Sequence, residues 1–99
     1  MRIGNDQRLN TQDGYAEYGW MVMRYGTSTR LAPQIVLQKA EEYFGKLGLK
    51  LSAKDENMMS WEGPRGYVTM QVYPGEESEV DIITMEWDSQ VKKFLQRVG

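Results

Sequence analysis

The side chains most capable of metal binding or acid-base chemistry are carboxylates toward the C-terminal end of the chain. They are Glu76, Glu77, Glu79, Asp81, Glu86 and Asp88. Carboxylate oxygens are the ligands that calcium and magnesium prefer. The spacing does not fit a calcium-binding loop, because no glycine and no twelfth-position glutamate fall in register with alternating ligands. We therefore interpret the cluster as a solvated acidic surface and expect no metal site.

Other catalytic groups are scarce. The sequence contains no histidine and no cysteine, so it lacks the commonest general base near neutral pH and any thiolate nucleophile or zinc ligand. Glu62 and Glu86 are the acids to consider for glycoside hydrolysis, but 99 residues leave little room for a sugar between them. We expect a noncatalytic protein that needs no cofactor.

Charge and hydropathy limit the partners further. A formal net charge of -2 gives no general attraction for phosphate backbones or anionic lipids. Residues 1–6 are polar and lack the apolar run of a signal peptide, and no stretch is long enough to cross a bilayer. The sequence thus predicts a cytoplasmic protein that binds neither nucleic acid nor membrane.

The chain divides into a leader and one domain. Residues 1–14 are mostly polar and cannot bury enough surface to order themselves, so we predict a flexible leader. Residues 15–99 are predicted to form a single α+β domain. Residues 15–25 are rich in aromatic and methionine side chains and favour a strand. A helix is the competing interpretation, and Gly19 and Gly26 argue mildly against it.

Two amphipathic helices are indicated. The first is predicted from Pro33 to Leu47, after capping hydroxyls at residues 27–29 and before Gly48. The second is predicted from Ser89 to Val98, capped by Asp88 and Ser89. Each helix has one apolar stripe and a charged opposite side, so each must pack on an apolar surface.

Four strands are predicted between these helices. One begins at Leu49, and the others cover residues 58–62, 67–73 and 79–87, joined by short turns such as residues 63–66. Such a meander forms an antiparallel sheet, and the helices must bury their stripes against it. We predict a two-layer α+β sandwich in the order α-β-β-β-β-α, with residues 15–25 as an added edge strand.

This order of elements resembles a shortened helix-grip domain. The resemblance rests on the succession of a helix, an antiparallel meander and a closing helix, without any shared residue motif. Domains of that kind bind lipids or polyketides, so the resemblance implies a small apolar ligand. Fold-level similarity alone does not fix a function.

The favoured functional hypothesis is a protein-interaction or self-association module. Tyr18, Trp20, Met21 and Tyr25 belong to residue types that are enriched at the centres of protein interfaces, and an exposed strand there would contact another protein or a second copy of the chain. The competing interpretation is that this segment packs on its own sheet as core.

The alternative hypothesis is a small hydrophobic-ligand binding domain, for a lipid or an aromatic metabolite. Its cavity would lie between the sheet and the last helix, lined by Trp61, Met70, Met85, Trp87 and Phe94. Met70 and Met85 are expected to face the helices, so ordinary core packing is the favoured explanation of these side chains. A binding site would require a void that core packing would fill.

Overall fold

Residues 2–3 and 22–99 are described by the computed structural model, which shows an α+β domain with an antiparallel sheet. The elements in chain order are β1 (Arg2–Ile3), β2 (Val22–Thr29), α1 (Pro33–Lys46), β3 (Lys50–Lys54), β4 (Met58–Glu62), β5 (Tyr67–Tyr73), β6 (Ser78–Met85) and α2 (Asp88–Val98). The predicted fold class is confirmed, and the bounds of β4 and β5 are those predicted from the sequence.

The sheet has the strand order β1-β2-β6-β5-β4-β3, and all neighbours are antiparallel. β3 to β6 form the predicted meander. β2 pairs with β6, so α1 carries the chain from β2 to the opposite edge of the sheet. The N-terminal strand was predicted at the edge but is internal among the described strands, because Arg2 and Ile3 pair with Gly26 and Tyr25 on its outer side.

Both helices cover the same face of the sheet. α1 contacts β3, β4 and β5, whereas α2 contacts β2 and β6. The apolar stripes of the helices meet the inward-facing residues of the strands, and the largest fully buried side chains are Trp61, Phe44, Phe94, Met59, Met70 and Ile82. Within the described chain, neither helix is long and apolar enough to cross a membrane.

The start of α1 differs from the prediction. Residues 27–29 continue β2 instead of capping the helix, and Ala32 is the N-cap without a side-chain hydrogen bond. Thr29 still supports the connection, since its hydroxyl accepts a hydrogen bond from the Leu31 amide at 3.1 Å. Pro33 opens the helix as predicted, and Gly48 with φ 91° follows its end, a conformation that glycine adopts without steric cost.

The corner between β6 and α2 is tightly packed. Glu86 has φ 78°, a left-handed conformation that costs a residue with a Cβ roughly 1 kcal/mol. The strand therefore ends at Met85, two residues before the predicted end, and Trp87 is the N-cap of α2 in place of Asp88. Gly66 approaches this corner so closely that an added Cβ would lie 1.9 Å from the Met85 carbonyl oxygen.

We predict opposite effects for alanine at two glycines. Gly66→Ala should lower the free energy of unfolding by about 2 kcal/mol or more, because the backbone of Met85 must move to admit the methyl group. Gly45→Ala should raise it by up to about 1 kcal/mol, since Gly45 is helical and nothing lies within 4 Å of the new Cβ. Urea denaturation of both variants measures this, and equal effects would contradict the packing described at the corner.

Candidate functional site

The sheet surface opposite the helices carries the candidate site, and we call it the open face. Strand alternation assigns its members, because residues paired across antiparallel strands point to the same side. They are Val22, Arg24, Gly26 and Ser28 of β2; Glu79, Asp81, Ile83 and Met85 of β6; Tyr67, Thr69, Gln71 and Tyr73 of β5; Met58, Ser60 and Glu62 of β4; and Lys50 and Ala53 of β3. Neither helix covers them, since the inward-facing side chains of the same strands pack against both helices.

A row of apolar side chains crosses one end of the open face. Val22 pairs with Met85, and Met85 pairs in turn with Tyr67. Ile83 is the next outward residue along β6, between β2 and β5, and is 38% exposed, while Val22 is 37% exposed. The outward positions of an antiparallel sheet that faces water are usually polar, and clustered exposed apolar groups mark binding surfaces.

Polar side chains elsewhere on the open face are joined across strands. The Arg24 guanidinium donates to Asp81 Oδ2 at 3.1 Å, and the Ser28 hydroxyl donates to Glu79 Oε2 at 2.7 Å. The hydroxyls of Ser60 and Thr69 hydrogen-bond at 2.9 Å, although either atom can be the donor. These contacts link neighbouring strands in pairs and hold the polar part of the surface in place.

The acidic residues beyond this surface are solvent-exposed. Glu76 and Glu77 lie in the turn between β5 and β6, and Glu77 Oε2 is 3.8 Å from Arg30 Nε. Ser28, Arg30 and the nearby glutamates line a shallow, open depression. An ion pair this exposed contributes little to stability.

Tyr25 lies on the helix side of β2, not on the open face. It is 3% exposed, and its hydroxyl donates a 2.7 Å hydrogen bond to Asp88 in the first turn of α2. Lys92 of the same helix places its ammonium 5.5 Å from the centre of the tyrosine ring. Of the four residues predicted to bind a partner, Tyr25 is thus placed in the core of the single chain.

The other three predicted contact residues, Tyr18, Trp20 and Met21, lie outside the described residues. Their role remains a prediction from the sequence. Val22, which follows Met21 directly, lies in the apolar row of the open face. The predicted alternation of this segment is confirmed for its last residues, because Met23 and Tyr25 face the helices while Val22 faces away.

The residues proposed to line a ligand cavity do not share one surface. Trp61, Met70 and Phe94 are buried in the core between the sheet and the helices. Met85 lies on the open face, so the expectation that it faces the helices is wrong: β6 presents Val80, Ile82 and Thr84 to that side instead. Thr84 is tolerated there because its hydroxyl donates to the Tyr67 carbonyl at 2.8 Å.

Trp87, the fifth residue of that set, is half-buried beside the turn between β4 and β5. Its indole lies so near Gly63 that an added Cβ would be 2.8 Å from Cζ2. Its ring nitrogen is buried and has no hydrogen-bond partner in the described part of the chain. Trp87 therefore packs at the end of the core next to the turn, against the same cluster that contains Trp61, Met70 and Phe94.

Sequence reasoning missed the open face as a site. Its apolar residues include Ile83, Tyr67 and Tyr73. Ile83 was hard to assign because β6 has apolar residues on both sides near its middle. The useful signal was present in β5, where the tyrosines alternate with the buried residues Val68, Met70 and Val72. A strand whose outward positions include aromatic residues indicates a second apolar surface.

Comparisons with known proteins add no relative. None of the protein-family models searched matches the chain, and neither does any curated protein.

The contact between Tyr25 and Asp88 generates a prediction about pH. Burial raises the pKa of Tyr25 to about 12, and the hydrogen bond to Asp88 and the negative charge of that carboxylate add to the rise. Because the folded-state pKa exceeds the unfolded value of about 10, the neutral tyrosine contributes stability that is complete below pH 10. That contribution is lost as the pH rises from about 10 to about 12, by up to about 1.4 kcal/mol per pH unit.

Tyr25→Phe is the matched variant, since it keeps the ring and removes the ionisable hydroxyl. At pH 8 it should unfold about 1–3 kcal/mol more easily than the parent, because the partly buried Asp88 loses a donor. Above pH 10 the difference between parent and variant should shrink. Urea unfolding of both proteins at about pH 8 and pH 11 tests this, and a difference that stayed constant would contradict the proposed role of the hydroxyl.

Proposed function

We propose that this protein is a noncatalytic protein-interaction module that binds its partner through the open face. The observation that carries the proposal is the exposure of apolar side chains on a regular sheet surface. Val22 and Ile83 are each more than one-third exposed, with Met85 and Tyr67 beside them, and Tyr73 is 46% exposed at the other end of β5. Covering such a surface releases water from apolar groups and favours association.

The composition of the open face supports binding to a protein. Aromatic residues and methionine are the types enriched at protein interfaces, and Tyr67, Tyr73, Met58 and Met85 all belong to it. Hydrogen-bonded polar groups such as Arg24 and Asp81 stand beside the apolar row. Interfaces between proteins likewise combine apolar contacts with hydrogen-bonded polar groups.

The sheet presents this surface with little freedom to rearrange. The inward side chains of the same strands, including Val68, Met70, Val80 and Ile82, are completely buried against the helices. A partner would therefore bind a surface whose backbone is already ordered, which lowers the entropy lost on binding. We propose that the helices serve the function indirectly by holding the sheet in shape.

The apolar-ligand alternative receives less support from the core. The ring centre of Phe44 is 4.8 Å from that of Trp61 and 5.5 Å from that of Phe94, distances at which aromatic rings are in contact. Two of the residues assigned to the cavity are thus held against a third ring that fills the space between them. A cytoplasmic location remains a prediction.

Site-specific photo-cross-linking in cells tests the proposed function. A photoreactive amino acid replaces Ile83 on the open face or, as a control, Ile35 on α1, which is 40% exposed and belongs to the opposite side of the molecule. We expect a protein adduct from position 83 that position 35 does not give. The two sites match in residue type and exposure, so equal yields, or no adduct at position 83, would overturn the proposal.

A further inference from the structure

We infer that the partner bound by the open face is a second copy of this chain, packed face to face through the sheet. This inference rests on the proposed function, because it names the partner of the same surface. Three properties of the open face support it: its area, its shape and its charge.

The area is close to what a dimer of two sheets needs. β2 to β6 are five to eight residues long, and strands about 4.8 Å apart with a rise of about 3.3 Å per residue give a footprint of roughly 500 Å². Two copies would bury roughly 1,000 Å² by this flat measure, which is the lower limit for a specific complex. A single helix, about 10 Å wide, would leave about half of the surface exposed.

The shape of the surface suits its own copy. Every sheet of L-residues has the same hand of twist, and two such sheets stack with their strands about 30° apart and their side chains interdigitated. A second copy therefore presents a surface with the same hand of twist as the open face. Because the same patch would be used on both chains, the pair would close and leave no repeating contact.

The charge of the surface also permits self-association. The positive side chains are Arg24 and Lys50, and the negative ones are Glu62, Glu79 and Asp81. Arg24 is bonded to Asp81, and Lys50 is the cross-strand partner of Glu62. With charges so nearly balanced, a strongly acidic or basic partner would gain little, and two copies would meet without strong repulsion.

The mass of the full chain in solution tests this inference. Light scattering from about 5 µM to about 500 µM should show twice the mass of one chain at the upper end. Ile83→Glu should weaken the dimer at least about 100-fold, because it places an unpaired carboxylate of each copy in the interface. Ile35→Glu changes the same residue type at similar exposure on α1 and should leave the dimer intact.

Circular dichroism establishes that each variant is folded, and Ile83→Thr provides a milder change should the glutamate unfold the strand. Threonine keeps the β-branched shape, so that variant should fold and weaken the dimer about 10-fold. A parent chain that stays monomeric, an Ile83 variant that dimerises like the parent, or an Ile35→Glu variant that dissociates would each overturn the inference. The cross-linking result then separates the two proposals, since an adduct of position 83 with a different protein would leave the proposed function standing.

Discussion

The contact of Phe44 with Trp61 and Phe94 is the interaction on which the arrangement of the domain depends. Phe44 comes from α1, Trp61 from β4 and Phe94 from α2, so this one cluster joins both helices to the sheet. All three side chains are almost completely buried. Burial of an aromatic side chain contributes about 2–3 kcal/mol from the removal of apolar area alone, and tilted ring contacts add to it. The cluster places both helices on the same side of the sheet.

The open face exists because both helices pack on the same side of the sheet. A helix buries only one stripe, and both helices of the described residues lie on one side, so neither of them covers the other side of the sheet. Side chains alternate between the two sides of each strand, so in β6 Val80 and Ile82 face the helices and Ile83 faces away from them. Water alone would favour polar residues at the outward positions. The chain instead has apolar groups there, and the proposed binding would remove them from water.

The sequence predicted most of the fold because its periodicities are regular. In β5, strict alternation fixed both bounds and the buried face, and Pro33 and Gly48 marked the ends of α1. Residues 27–29 were misassigned because serine and threonine serve both as helix caps and in strands. Residues 27–29 form a strand because β2 pairs with β6 as far as Thr29, which gives their backbone groups hydrogen-bond partners. Pairing between residues so far apart in the chain cannot be recognised from the sequence around residues 27–29 alone.

The candidate site was harder to predict for the same reason. In β6, Ile82 and Ile83 are adjacent and equally apolar, so the pattern of the strand does not say which one is buried. Ile82 is the buried one because the helices pack on its side of the sheet, and the side on which they pack depends on the whole fold. The interface assigned to Tyr25 likewise depended on composition alone, whereas its hydroxyl contact with Asp88 in α2 holds it in the core.

The edge at β3 explains why association would use the face of the sheet. A free edge strand can recruit another chain by adding a strand, and proteins oppose this with lysines and bulges. β3 has both features: Lys50 and Lys54 lie at its ends, and its register shifts between Leu51 and Ala53. The lysines must be desolvated and the bulge straightened before a regular ladder can form there. Ile83 is an apolar residue in the middle of the sheet, so the proposed closed pair would use the open face around it in preference to this edge.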